Sequence, residues 1–170
     1  VTPTQFTQAP PPPPPPVRGS SLDEIDSGVN LSGKGYEIET LEGVGPKTAT
    51  ALREIGIATI SDFLRQAHTP EQREYIASQI AVRPKMVHSW ASMSDLLRIH
   101  GIDHQSAELM HKSGIHSVAD LAKKNVSTFV SEMEHTNTAG KRSIAPQVPT
   151  SNQMSLWIAE ASTMKPAIKL

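Results

Sequence analysis

The sequence predicts an all-α body built from two tandem units, set behind an extended proline-rich arm. Three observations carry that reading. A glycine-punctuated stretch occurs twice, apolar residues recur around it at helical spacing, and seven consecutive prolines stand near the start. Hydrophobic residues make up 37% of the chain, and only seven are aromatic (two Trp, two Tyr, three Phe). The core must therefore be Ile, Leu, Val, Ala and Met, which suits packed helices better than a β-sandwich.

The arm comprises residues 1–35. Pro10, Pro11, Pro12, Pro13, Pro14, Pro15 and Pro16 favour a polyproline II rod without internal hydrogen bonds. Residues 18–35 follow, with the Gly, Ser and Asp content of a linker. Extended, such an arm reaches roughly 100 Å. Polyproline II is already extended and loses little entropy on docking, so the prolines are expected in a groove of a partner subunit. Leu22, Ile25, Val29 and Leu31 are expected to add small apolar anchors.

The duplication begins after the arm. Gly43, Ala49, Gly56-Ile57 and Asp62 recur without a gap as Gly101, Ala107, Gly114-Ile115 and Asp120, at an offset of 58. Each copy reads as turn, helix, turn, helix. Gly43 and Gly45 permit a tight turn, and Pro46 suits the first position of a helix. Ala49, Leu52 and Ile55 lie on one helical face. Gly56 stops that helix and Ile57 packs back on it. Thr59 caps the next helix with Asp62 in its first turn, and Ser117 and Asp120 repeat the arrangement. The units divide as 36–98 and 99–164, with 165–170 as a tail.

Further helices complete each unit. Thr69-Pro70 opens one through Arg73, Ile76 and Ile80, and Pro84 opens another striped by Met86, Val87 and Trp90. Ser94-Asp95 is expected to start a short helix leading into the second copy. Residues 126–133 read as helix and 136–146 as loop, and Pro149 opens a last helix with Met154, Trp157 and Ile158. Trp90 and Trp157 are offset by 67. The nine-residue excess over 58 is assigned to the loop containing Lys141-Arg142.

Gly43-Val44-Gly45-Pro46-Lys47, with Ala49 and Leu52, resembles the helix-hairpin-helix motif of DNA ligases, repair nucleases and Holliday-junction proteins. The span 36–164 is similar to an uncharacterised bacterial and algal family of tandem helix-hairpin-helix domains. That likeness rests on Thr69 with Arg73, Trp90, the run from Asp95 through Ile102, Ala107, Ser113-Gly114-Ile115, and Trp157-Ile158 before Ala161. The resemblance implies the fold, two tandem helix-hairpin-helix repeats with extra packing helices, and no settled activity.

In DNA-binding proteins with this motif the hairpin offers backbone N–H groups to a phosphate. Gly43, Val44, Gly45 and Lys47 are the candidate phosphate-binding hairpin here. The second copy departs from the pattern, with Asp103 in place of Gly45 and His104 in place of Pro46, and a carboxylate there repels phosphate. Residues 36–164 carry 12 Lys+Arg against 14 Asp+Glu, a net of −2, so any DNA contact must be local.

Other chemistry finds little support. Cysteine is absent, which excludes disulfides and thiolate sites. His100, His104, His111 and His116 cluster, but Gly101 and the turn separate the first two, so exposed or capping histidines are expected rather than a metal site. No nucleophile elbow, phosphate-cradling loop or carboxylate cluster occurs. Trp90 and Trp157 sit in apolar stripes and are expected as core anchors, not base-stacking platforms. No apolar run approaches the roughly 18 residues of a membrane span.

The expected function is a non-catalytic linker subunit without cofactor, which binds protein subunits of a larger assembly through its body and arm. The alternative is sequence-independent binding of the DNA backbone by the first hairpin. The sequence begins at Val1, the start expected of a fragment or of a chain relieved of an import sequence. The protein is expected to be intracellular, and on the second view in the plastid stroma or mitochondrial matrix.

Overall fold

Six of the eight α-helices between residues 37 and 170 start behind a side-chain oxygen that caps them. The computed structural model describes residues 37–170. A single 3-10 turn, Ile38–Thr40, is followed by α1 (Pro46–Glu54), α2 (Ile60–Gln66), α3 (Pro70–Ile80) and α4 (Pro84–Leu96). Then come α5 (His104–Lys112), α6 (Val118–Ala122), α7 (Val126–Thr138) and α8 (Ser151–Thr163). Among the described residues no strand forms, only an isolated antiparallel bridge between Glu37 and Thr59. The arm, with its prolines and the four apolar anchors expected after them, lies outside the described residues.

Thr59, Thr69 and Thr150 each form a reciprocal capping box, with Asp62, Gln72 and Gln153 respectively. Asp103, Ser117 and Asn125 each accept the N–H three residues on. These oxygens satisfy donors that the first helical turn leaves without partners. The stops are equally local. Gly56 and Gly114 have φ of 87° and 94°. Around them Gly56 N–H donates to Arg53 O (3.0 Å) and Ile57 N–H to Leu52 O (2.9 Å). Gly114 N–H donates likewise to His111 O (3.1 Å) and Ile115 N–H to Met110 O (3.0 Å). Each pair closes the last turn and folds a buried isoleucine back onto it.

Packing repeats as well. α4 lies against α2 and α3, and α8 lies against α6 and α7. Trp90 and Trp157 are buried in these contacts, Trp90 edge-on to Phe63 with ring centroids 6.4 Å apart. One continuous apolar core runs through both units, because α4 also packs on α5. Ser94 and Asp95 do not start a helix; they lie buried inside α4, which continues to Leu96. α7 runs five residues beyond the expected 133, and α8 starts at Ser151 behind the Thr150 cap rather than at Pro149. The extra nine residues do fall between α7 and α8. Asn137 pins that loop, donating to Ala145 O (3.0 Å) and accepting from the N–H groups of Ile144 (2.8 Å) and Ala145 (2.9 Å).

Residues 165–170, expected as a tail, lie along the body. Ala167 and Ile168 are buried. Arg98 Nη2 donates to Lys165 O (2.9 Å) and His68 Nδ1 to Ala167 O (2.5 Å). Arg73 Nη2 donates to Lys169 O, and Lys169 N–H donates to His68 O (2.9 Å). Arg73 is itself 1% exposed. Its other donors reach Ala67 O (2.8 Å), His68 O (3.3 Å) and His88 Nδ1 (2.8 Å). Neutral acceptors thus satisfy a buried guanidinium, which would otherwise be costly to desolvate.

Two tests follow from these contacts. Gly56→Val and Gly114→Val should each lose about 1 kcal/mol or more, since a β-branched residue fits a left-handed cap poorly. Thermal melts decide it, and unchanged midpoints would count against both caps. The second test is pH. Burial, and then the Arg73 charge, push the His88 pKa below its ordinary 6.5, with Glu74 opposing. Below about 6.5 the unfolded chain takes up a proton that the folded chain refuses, so stability falls as pH drops through that window. His111 is shifted the same way by burial and then by His116. The melting midpoint should decline from pH 7.5 to pH 5, and decline less in His88→Asn.

Candidate functional site: the first glycine loop

The loop ahead of α1 is shaped by one close contact. Gly43 has φ of 89°, and a Cβ built there would stand 3.2 Å from Trp90 Nε1. The second copy repeats the device, with Gly101 at φ 85° and Trp157 Nε1 at 3.3 Å. In both units the closing helix presses its indole onto the loop glycine. A side chain there would be strained by the dihedral and would have to push the indole back by a few tenths of an ångström.

The loop borders a shallow depression of about 550 Å³. Leu41, Gly43, Val44 and Gly45 line it from the loop, Glu39 and Glu42 supply carboxylates, and His104 closes it from the start of α5. Of the expected phosphate-binding residues, three line this depression, whereas Lys47 is exposed and stands outside the lining. Val44 is buried, and its N–H already donates to Leu41 O (3.1 Å). The Val44 amide is therefore spent inside the loop and not offered to a ligand.

Of the two carboxylates lining the depression, Glu39 is paired and Glu42 is not seen paired among the described residues. Glu39 Oε2 accepts from Arg53 Nη2 at 2.5 Å, and this bond holds its carboxyl below the usual range. Arg53 also lies 3.8 Å from Glu37. Glu42 is exposed beside Gly43. The helix ends behind the two loops differ. Gly45 gives α1 no side-chain cap, while Asp103 Oδ1 caps α5 by accepting Ser106 N–H at 2.7 Å. The carboxylate thus occupies the position at which an anion would otherwise sit.

The histidines do not converge. His100 donates its backbone N–H to Glu160, and its Nδ1 lies 2.7 Å from Glu160 Oε1. His104 lines the depression. His111 and His116 meet edge-on at 5.2 Å. Among the described residues no three metal-ligating side chains come together. No helix among them is long and apolar enough to cross a membrane. Reading the sequence missed the second polar cluster, Arg73, His68 and Arg98 around residues 165–169. Arg73 and Arg98 were legible as residues of the family likeness, but not that they meet residues 165–169.

A family model described as Domain of unknown function (DUF4332) matches residues 42–164. No curated protein matches the chain, and no solved structure matches it.

The loop geometry makes an expectation at two adjacent glycines. Gly43→Ala meets both the dihedral and Trp90, and should lose at least about 1 kcal/mol. Gly45 has open space around it, so Gly45→Asp should cap α1 as Asp103 caps α5 and gain about 0.5 kcal/mol. Denaturant melts of the two variants check the opposite signs.

Proposed function

The chain belongs to the DUF4332 family, whose model spans both units, and we propose that its body is a tandem helix-hairpin-helix scaffold binding other protein subunits. It acts as a non-catalytic linker, with the proline arm as a second point of attachment. The paired loop glycines and tryptophans support the hairpin reading. One observation carries the preference for protein over nucleic acid: Glu39 and Glu42 line the first loop, and Asp103 fills the second. Phosphates approaching either loop meet carboxylates, whereas a protein surface with amide and basic groups complements them.

A second reading, sequence-independent contact with the DNA backbone, has one observation in its favour. The start of α1 has no side-chain cap, and Lys47 stands exposed beside it.

The two readings separate experimentally. Native purification should recover the protein with other subunits in fixed stoichiometry. Removal of residues 1–35 should leave the helical circular dichroism intact and release the protein from them. Fluorescence anisotropy with duplex DNA at low salt should show no binding. Binding that weakens steeply with salt, falls in Lys47→Glu and rises in Asp103→Gly would overturn the scaffold reading in favour of DNA.

A further inference from the structure

The indole that closes each unit carries an N–H that the fold does not use. Trp90 is 1% exposed and Trp157 6%. Among the described residues, no hydrogen bond joins either Nε1–H to another group. The buried side-chain atoms that lack a partner there are Ser94 Oγ, Arg98 Nε and His111 Nδ1, so neither indole nitrogen is sealed from solvent. Each ring is thus buried up to its nitrogen edge, and that edge stays open. A buried indole ordinarily finds an acceptor for its N–H, and here two of them have none in the fold.

The opening is the same in both units. At Gly43 the nearest atom to the Cβ position, from beyond the neighbouring residues, is Trp90 Nε1 at 3.2 Å. At Gly101 it is Trp157 Nε1 at 3.3 Å. A glycine therefore leaves vacant the space beside each N–H. Neighbouring charges select the acceptor that suits it. Glu42, exposed, precedes Gly43. Glu160 accepts from the His100 N–H just before Gly101, and Asp103 stands two residues after it. Phosphate and carboxylate oxygens meet repulsion at both places, whereas a neutral carbonyl does not.

We propose that the openings at Gly43 and Gly101 are a matched pair of carbonyl-binding subsites, in which the Nε1–H groups of Trp90 and Trp157 donate to main-chain or amide carbonyls of a partner protein. This rests on the scaffold reading above, and gives it two contacts of defined chemistry at equivalent places in the two units. The flanking carboxylates favour carbonyls that have a basic side chain beside them.

The test follows the two indole N–H signals of the isotope-labelled full chain by NMR. N-methylacetamide is the neutral carbonyl probe, and inorganic phosphate at equal ionic strength is the anionic one. Without a probe, both N–H groups should exchange with water from the folded state, well ahead of the amides in the middle of α4. N-methylacetamide should move both signals downfield, and phosphate should move neither. Gly101→Ala sets a methyl group against Trp157 and should abolish the response of that indole while sparing Trp90. Gly43→Ala should do the reverse. The parent measurements need no variant, so they decide the matter even where a glycine variant misfolds. Indole N–H groups that exchange only on global unfolding overturn the proposal. A phosphate shift at Trp90 as large as that from the amide would also overturn it, naming a nucleic-acid backbone as the ligand. Indoles that ignore the amide while subunits still co-purify remove the subsites and leave the scaffold reading standing.

Discussion

A buried ion pair at the joint between the units fixes how they meet. Asp95 Oδ1 accepts from Arg98 Nη1 at 2.7 Å, with side chains 1% and 6% exposed. The other carboxylate oxygen accepts Val118 N–H at 2.9 Å, at the start of α6. The same guanidinium reaches on to Lys165 O. One pair therefore ties the end of α4 to the second unit and to the segment after α8. Burial pushes the Asp95 carboxyl upward in pKa, while Arg98 and the Val118 amide pull it down. Such a pair adds little net stability, but removing one partner strands a buried charge at a cost of about 3–5 kcal/mol. Its value lies in geometry, because no apolar side chain accepts the Val118 N–H.

That joint explains which parts of the fold were legible. Gly56-Ile57, Gly114-Ile115, Thr59 and Ser117 act through hydrogen bonds to residues within five positions, so the sequence displays their partners beside them. Ser94-Asp95 carries the same local signature as a helix start, yet the Asp95 carboxylate serves an amide 23 residues on. The partner is invisible to any short window, and burial in α4 overrides the local preference. Asn137 likewise serves partners beyond its own helix: its side chain holds Ile144 and Ala145, and α7 extends past the expected limit.

The site shows the same division. Gly43, Val44 and Gly45 were legible as a turn from their chemistry, whereas the depression they line was not. That the Val44 amide is consumed inside the loop, and that Lys47 stands off the depression, depends on the dihedral path of the loop and the angle at which α1 leaves it. His104 was legible as a departure from the first copy and as one of four nearby histidines. Its position opposite the first loop follows from α4 packing on α5, a contact between units. Residues 165–169 carry no capping or periodic signal at all, because two distant arginines and a histidine hold them by the backbone.

The two units share a frame and differ in what they expose. Trp90 and Trp157 press on Gly43 and Gly101 at nearly equal distance, so the loops are set at the same height above equivalent helices. Within that frame Gly45-Pro46-Lys47 stands against Asp103-His104-Gln105. The first leaves a helix start without a side-chain cap and the second fills it with its own carboxylate. Symmetric packing with asymmetric loops gives a body that presents two different faces. Sharing α4 adds a constraint. Its middle closes the first core through Trp90, and its last turn, with Leu96 buried as Ile38 is at the start of the first unit, opens the second. Neither unit can loosen without uncovering apolar surface in the other, so the two faces stay fixed relative to one another.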